Sequence, residues 1–169
     1  MNTYLNQLFG LEGKVAAITG GGGHLCSEMA RGFARAGCAV AVLDLRMEKA
    51  RAIETELRAA GFDRVLAAAI DVAKKADHVD ALQQVLDAFG RVDILVNGAG
   101  INGPSPFLEI SLEEWHSILD SQITGTFLGC QVFGAQMLKQ GKGSIINISS
   151  ASAGPRCRRL SLTRWRRRE

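Results

Sequence analysis

Short apolar runs alternate with amphipathic runs along most of this chain. Lys14 to Thr19, Cys38 to Leu43, Arg64 to Ile70, Val92 to Val96 and Gly143 to Ile148 are brief, apolar and bounded by turn residues. Runs of this kind read as strands, and Lys14 to Thr19 and Cys38 to Leu43 as strands buried on both faces. Between them, apolar residues recur at helical spacing. Met29, Phe33 and Ala36 predict a helix from about Leu25 to Ala36. Ala50, Ile53 and Leu57 predict one from Met47 to Ala60, ended by Gly61. Val79, Leu82, Val85 and Leu86 predict one from Lys74 to Phe89, stopped by Gly90. Ser111, with Glu114 three residues on, reads as a capping box. It opens a long helix to about Leu138, bent near Gly125 and Gly129. Strands alternating with helices imply an α/β fold with a parallel, doubly wound sheet. Right-handed crossovers then place Thr19, Asp44, Asp71, Asn97 and Ser149 along one carboxyl edge, where such sheets bind ligands.

The unit from Lys14 to Asp44 carries the first chemistry. It is strand, glycine turn, helix, strand, and the turn is Gly20-Gly21-Gly22-Gly23 ahead of His24 and Leu25. Backbone N–H groups at the start of a helix attract an anion, so this context makes the turn a phosphate site. The glycine spacing alone is weak, because Leu25 or Cys26 stands where a third glycine belongs in G-x-G-x-x-G. Asp44 supplies the second half. An acid about 20 residues past the first glycine accepts the ribose hydroxyls of a dinucleotide and repels a 2′-phosphate. NAD is therefore favoured over NADP, although Arg46 could pair such a phosphate.

Composition narrows the classes. The chain has 169 residues, 47% of them hydrophobic, which fits one domain with a sizeable core. No apolar run reaches membrane-spanning length and the N-terminus lacks a secretory pattern, so a cytoplasmic protein without membrane contact is expected. Cys26, Cys38, Cys130 and Cys157 form no C-x-x-C pair, and His24, His78 and His116 have no ligand-like spacing. No metal site is supported. Charge is uneven: residues 1–154 carry 13 Lys and Arg against 16 Asp and Glu, whereas residues 155–169 carry seven Arg against Glu169 alone. The expected organisation is a dinucleotide-binding domain over 1–154 and a basic, disordered tail over 155–169.

Taken in order, the motifs resemble the short-chain dehydrogenase/reductase family over residues 8–154. Thr19-Gly20 and the following glycines are similar to its cofactor loop, and Asp71-Val72 to its adenine-contacting pair. Asn97-Gly98-Ala99-Gly100 resembles N-N-A-G, with Gly98 as the second residue. Trp115 and Gly125-Thr126-Phe127 match the long helix, and Ile145 to Ser150 matches the strand that carries the catalytic serine, here Ser150. The resemblance implies a Rossmann-type sheet of order 3-2-1-4-5. It also implies hydride transfer between NAD and a secondary alcohol or ketone, a small-molecule substrate. The glycines, His24-Leu25-Cys26 and the Asp44 end look most like sugar-acid (mannonate-type) and polyol dehydrogenases. Family members are often homo-oligomers; with part of the interface missing, this is doubtful for the present chain.

Four departures accompany the resemblance. His24 and Cys26 stand where the family usually has glycine. The His24 side chain would crowd or hydrogen-bond a pyrophosphate, or else point outward from the loop. Cys26 would affect helix–strand packing more than chemistry. Gln122 aligns with the asparagine that holds the proton-relay water. Fourth, the family's tyrosine, with a lysine four residues on, should follow about a dozen residues after Ser150. Arg164 and Trp165 stand near there, the only tyrosine is Tyr4, and the last lysine is Lys142. The alternative function is thus a catalytically incomplete nucleotide-binding fragment. The arginine-rich end reads either as a basic tail for nucleic acid or acidic lipid, or, preferred here, as a frame-shifted end that leaves the sheet incomplete on its C-terminal side and its fifth strand as an uncovered edge.

Overall fold

The computed structural model describes residues 8–150. The basic segment 155–169 and Cys157 lie outside the described residues. Five parallel strands form one sheet: β1 (Val15–Thr19), β2 (Ala39–Asp44), β3 (Val65–Ala69), β4 (Ile94–Asn97) and β5 (Ser144–Asn147). Their order is β3-β2-β1-β4-β5, as expected. The helices are α1 (His24–Arg35), α2 (Met47–Ala59), α3 (Lys75–Phe89), α4 (Leu112–Leu119) and α5 (Gly125–Lys139).

The two central strands have no exposed residue, because helices cover both faces of the sheet. Alternation along each strand divides the core. Ala16, Ile18, Val40, Val42, Ile94 and Val96 face Cys26, Ala30, Ala34, Ala50, Ile53 and Leu57 on one side. Val15, Ala17, Ala41, Leu43 and Leu95 face Ala81, Val85, Phe133 and Met137 on the other. Each such large side chain contributes roughly 1.5–3 kcal/mol on full burial. Asp93 is an acid at the rim of this core. Its carboxylate accepts the Val15 N–H at 3.0 Å and pairs with Arg91. Burial opposes its ionisation, but the bonds from Arg91 and Val15 outweigh burial and hold its pKa below the ordinary carboxylate value.

Several local expectations change. In α1 the deepest face is Cys26, Ala30 and Ala34; Met29 and Phe33 flank it, and Ala36 is the exposed C-cap residue. In α3 Val79 is exposed, and His78 is buried in its place against Phe133. The long helix is interrupted by a single π-helical turn, Asp120–Thr124, that ends just before Gly125, whereas Gly129 lies within the regular α5. Ser111 does cap α4, its hydroxyl accepting the Glu114 N–H at 3.1 Å. The reciprocal half of the box is missing, because the Glu114 carboxylate instead accepts the Ser105 N–H at 3.3 Å.

Candidate functional site

The parallel register aligns the strand ends. Thr19 lies beside Leu43 and Asn97, Asp44 beside Ala69, and Asn97 beside Asn147. The glycine turn leaves β1 at this edge and enters α1. Gly20 has φ of 67°, a left-handed conformation that costs glycine nothing. Space as well as conformation excludes side chains here. A Cβ at Gly22 would stand 2.5 Å from Lys49 Cβ and 3.1 Å from Asp44 Oδ2, and one at Gly20 would stand 2.9 Å from Ala99 Cα.

The turn's own hydrogen bonds set which N–H groups remain for a ligand. Gly21 N–H donates to Leu43 O, Gly22 N–H to Asp44 Oδ2 and Gly23 N–H to Gly20 O. Asp44 is 7% exposed, and its second oxygen accepts the Arg46 N–H at 3.0 Å. Two backbone donors therefore fix this carboxylate at the end of β2. The N-terminus of α1 has no capping side chain and no acid in its first turn. The helix itself therefore supplies no group that neutralises its positive dipole end, an arrangement suited to receive a phosphate. His24 is the first residue of that helix and is exposed; it belongs to the helix rather than to the loop. Leu25 is exposed beside it.

Thr19 acts from below. It is 1% exposed; its hydroxyl donates to Val96 O at 3.3 Å and accepts the N–H groups of Gly98 and Ala99 at 3.1 and 3.3 Å. It therefore pins the loop after β4 to the glycine turn. Gly98, Ala99 and Gly100 then line an open cleft of about 640 Å³. Gln122, Thr126, Asn147, Ser149 and Ser150 line the same cleft. The π-helical turn carries Gln122 to its wall, where the side-chain amide donates to Ile101 O at 2.7 Å.

The remaining sequence candidates sit apart from the cleft. The Asn97 side chain is buried, with its amide donating to Asn147 Oδ1 at 2.8 Å. Its neighbourhood, not its side chain, faces the opening. Asp71 accepts the Ala73 N–H and pairs with Lys74 at 3.0 Å. Val72 is half-buried against Gly125, where an added Cβ would stand 2.8 Å from its Cγ2. Of the cleft residues, Asn102 and Ile123 were not singled out by sequence reasoning, and Thr126 and Asn147 only as members of longer motifs. Asn147 carried a signal, a lone amide inside an otherwise apolar strand.

Comparison with known proteins places this architecture. The model of the short chain dehydrogenase family matches residues 14–160. The chain belongs to that family. An uncharacterized oxidoreductase, UxuB, of Bacillus subtilis is 40% identical over 158 residues, covering 85% of this chain and 56% of the relative. A D-threitol dehydrogenase of Mycolicibacterium smegmatis is 41% identical over 147 residues, covering 86% and 55%. The chain thus spans about half the length of the curated dehydrogenase relatives it matches. Among solved family structures, a 3-ketoacyl-(acyl-carrier-protein) reductase of Brucella melitensis complexed with NADH superimposes with a TM-score of 0.78 at 35% identity. It matches over 85% of this chain and 60% of its own. A short-chain type dehydrogenase/reductase of Mycobacterium marinum gives 0.83 at 33% identity, over 88% and 60%. Among the described residues no group of His, Cys, Asp or Glu could hold a metal, and no helix is long and apolar enough to cross a membrane.

Proposed function

We propose that these residues bind NAD as the dinucleotide-binding part of a short-chain dehydrogenase acting on secondary alcohols or ketones. The observation that carries the reading is the Asp44 carboxylate, held by the Gly22 and Arg46 N–H groups beside an uncapped helix N-terminus. In this reading the first turn of α1, with His24 and Leu25, meets the pyrophosphate. Asp44 accepts the adenosine ribose hydroxyls and disfavours a 2′-phosphate, which selects NAD. Asp71-Val72 borders the adenine, and the backbone of Asn97 to Gly100 borders the nicotinamide half. The bound nicotinamide supplies the hydride acceptor. Ser150 orients the reacting oxygen and the Gln122 amide holds a water near it.

The substrate class has two supports. The cleft presents amide and hydroxyl groups from Gln122, Thr126, Asn147 and Ser149, which suit a polyhydroxylated substrate. The threitol dehydrogenase relative handles a compound of that kind by its name. We assign a polyol or sugar acid. Among the 169 residues the only tyrosine is Tyr4, so the acid that the family resemblance places after the fifth strand is not present there. A general acid contributes ~10²–10⁴-fold in rate. These residues by themselves are therefore expected to bind the dinucleotide with turnover reduced by about that factor.

Titration of NADH fluorescence tests the reading. Saturable binding is expected, tighter for NADH than for NADPH. Asp44→Ala is expected to weaken NADH about tenfold, the scale of a lost hydrogen bond to a charged group. Absence of saturable NADH binding by the wild-type chain overturns the proposal.

A further inference from the structure

Two residues depart from the family pattern on opposite sides of one contact. Cys26 stands where the family usually has glycine, and Gly98 is the second residue of a motif that usually carries asparagine there. The structure brings them together. Cys26 lies in the first turn of α1 and is 4% exposed. Its thiol faces Gly98 O at 3.8 Å, a weak sulfur contact. A Cβ built on Gly98 would overlap Cys26 Sγ outright. Gly98 has an ordinary negative-φ backbone, so the exclusion there is one of space and not of conformation. The thiol fills most of the volume that a side chain at position 98 would need, with Thr19 O bounding it at 3.1 Å.

This contact sits between two segments of the proposed nucleotide site. On the glycine-turn side, a Cβ at Gly20 would meet Ala99 Cα at 2.9 Å and Gly98 O at 3.0 Å. On the loop side, Thr19 holds the Gly98 and Ala99 N–H groups. The separation of the turn from the loop is therefore set by three contacts, of which Cys26 against Gly98 lies nearest the start of α1. Burial, aided by the Asp44 charge, pushes the Cys26 thiol above its ordinary pKa, so it stays a neutral spacer.

We infer that Cys26 and Gly98 are complementary halves of one steric spacer that sets the distance between the glycine turn and the loop after β4, and through it the affinity for the dinucleotide. Cys26 is thus a positioning residue. The inference rests on the proposed NAD site for its functional half and on packing alone for its structural half.

The test is a four-member set: wild type, Gly98→Ala, Cys26→Ala and the double variant. Each is melted, then titrated with NADH at a temperature where circular dichroism shows it folded. Gly98→Ala alone is expected to lower the Tm and weaken NADH about tenfold, because the sulfur must move and carries α1 or the loop with it. Cys26→Ala alone leaves a small void and is expected to change affinity less than about threefold. The double variant moves volume from one side of the contact to the other and is expected to return affinity to within about threefold of wild type. Additive losses in the double variant overturn the spacer. A Tm that shows coupling while NADH affinity stays constant across the set overturns the positioning role. Should wild type fail to bind NADH, the functional reading falls, and coupled melting still upholds the steric pair.

Discussion

Asn97 donates its side-chain N–H to the side-chain oxygen of Asn147 at 2.8 Å, joining the last residues of β4 and β5 at the base of the cleft. Asn97 is 5% exposed, whereas Asn147 is open to the cleft. Losing one partner of the bond is therefore not equivalent to losing the other. Removing the exposed partner strands the buried donor with only the Cys130 sulfur at 3.5 Å. A buried donor left unsatisfied costs about 1–3 kcal/mol. Asn147→Ala is expected to lose that much in urea unfolding. Asn147→Asp retains an acceptor and is expected to lose less. Equal losses would show that the bond contributes nothing.

This pair also marks where the sequence stops being readable. The strands and the glycine turn followed from apolar runs and from residues within one strand–turn–helix–strand unit, and the strand order from the family resemblance. Asp44 was legible for the same reason, since its partner Gly22 belongs to that unit. Asn97 and Asn147 are 50 positions apart, and their meeting depends on the register between two strands. No local pattern fixes such a register. His78 failed differently: periodicity scores it as polar and gives its place to Val79, yet its ring is buried edge-on against Phe133. The π-helical turn at Asp120–Thr124 was read as a glycine bend, because one extra residue in a helical turn leaves the apolar pattern almost unchanged.

Gly129 and Gly32 should respond oppositely to alanine. Both lie inside helices, where alanine is favoured over glycine by about 0.8–1.0 kcal/mol. Gly32 has open space around its Cβ position, so Gly32→Ala is expected to stabilise by about that amount. A Cβ at Gly129 would overlap Asn97 Oδ1. Gly129→Ala must displace the Asn97 amide and is expected to destabilise despite the propensity gain. Thermal melts of the two variants decide this, and a stabilised Gly129→Ala would refute the contact.

His78 should make stability depend on pH in the mildly acidic range. Its ring is fully buried, with Nε2 donating to Val72 O at 2.9 Å and Nδ1 unpartnered. Burial lowers its pKa; the bond to Val72 and the nearby Asp77 and Asp71 charges oppose that only in part. The unfolded chain therefore takes up this proton first, near the ordinary value of about 6.5. Stability from this group is complete above that pH and is lost progressively as pH falls through it toward the lower folded value. Urea unfolding between about pH 7 and pH 5 should show this slope. His78→Leu should flatten it, at some cost in absolute stability because Val72 O loses its donor. An unchanged slope would assign the effect to other groups.

The outer edge of β5 should govern self-association. β5 pairs with β4 and ends the sheet, and all four of its residues are exposed. Ile145, Ile146 and Ile148 are 37%, 39% and 38% exposed, so apolar side chains flank a row of unpaired backbone groups among the described residues. Such an edge templates strand addition by another chain, and a lysine placed on it is a common deterrent. Ile146→Lys is expected to reduce concentration-dependent light scattering with little change in Tm. Leu108→Lys removes an apolar side chain that is 94% exposed and far along the chain from β5, so it separates edge pairing from general surface hydrophobicity. A larger drop for Ile146→Lys identifies the edge as the source. Equal drops would mean that total exposed apolar area, not the strand edge, drives association.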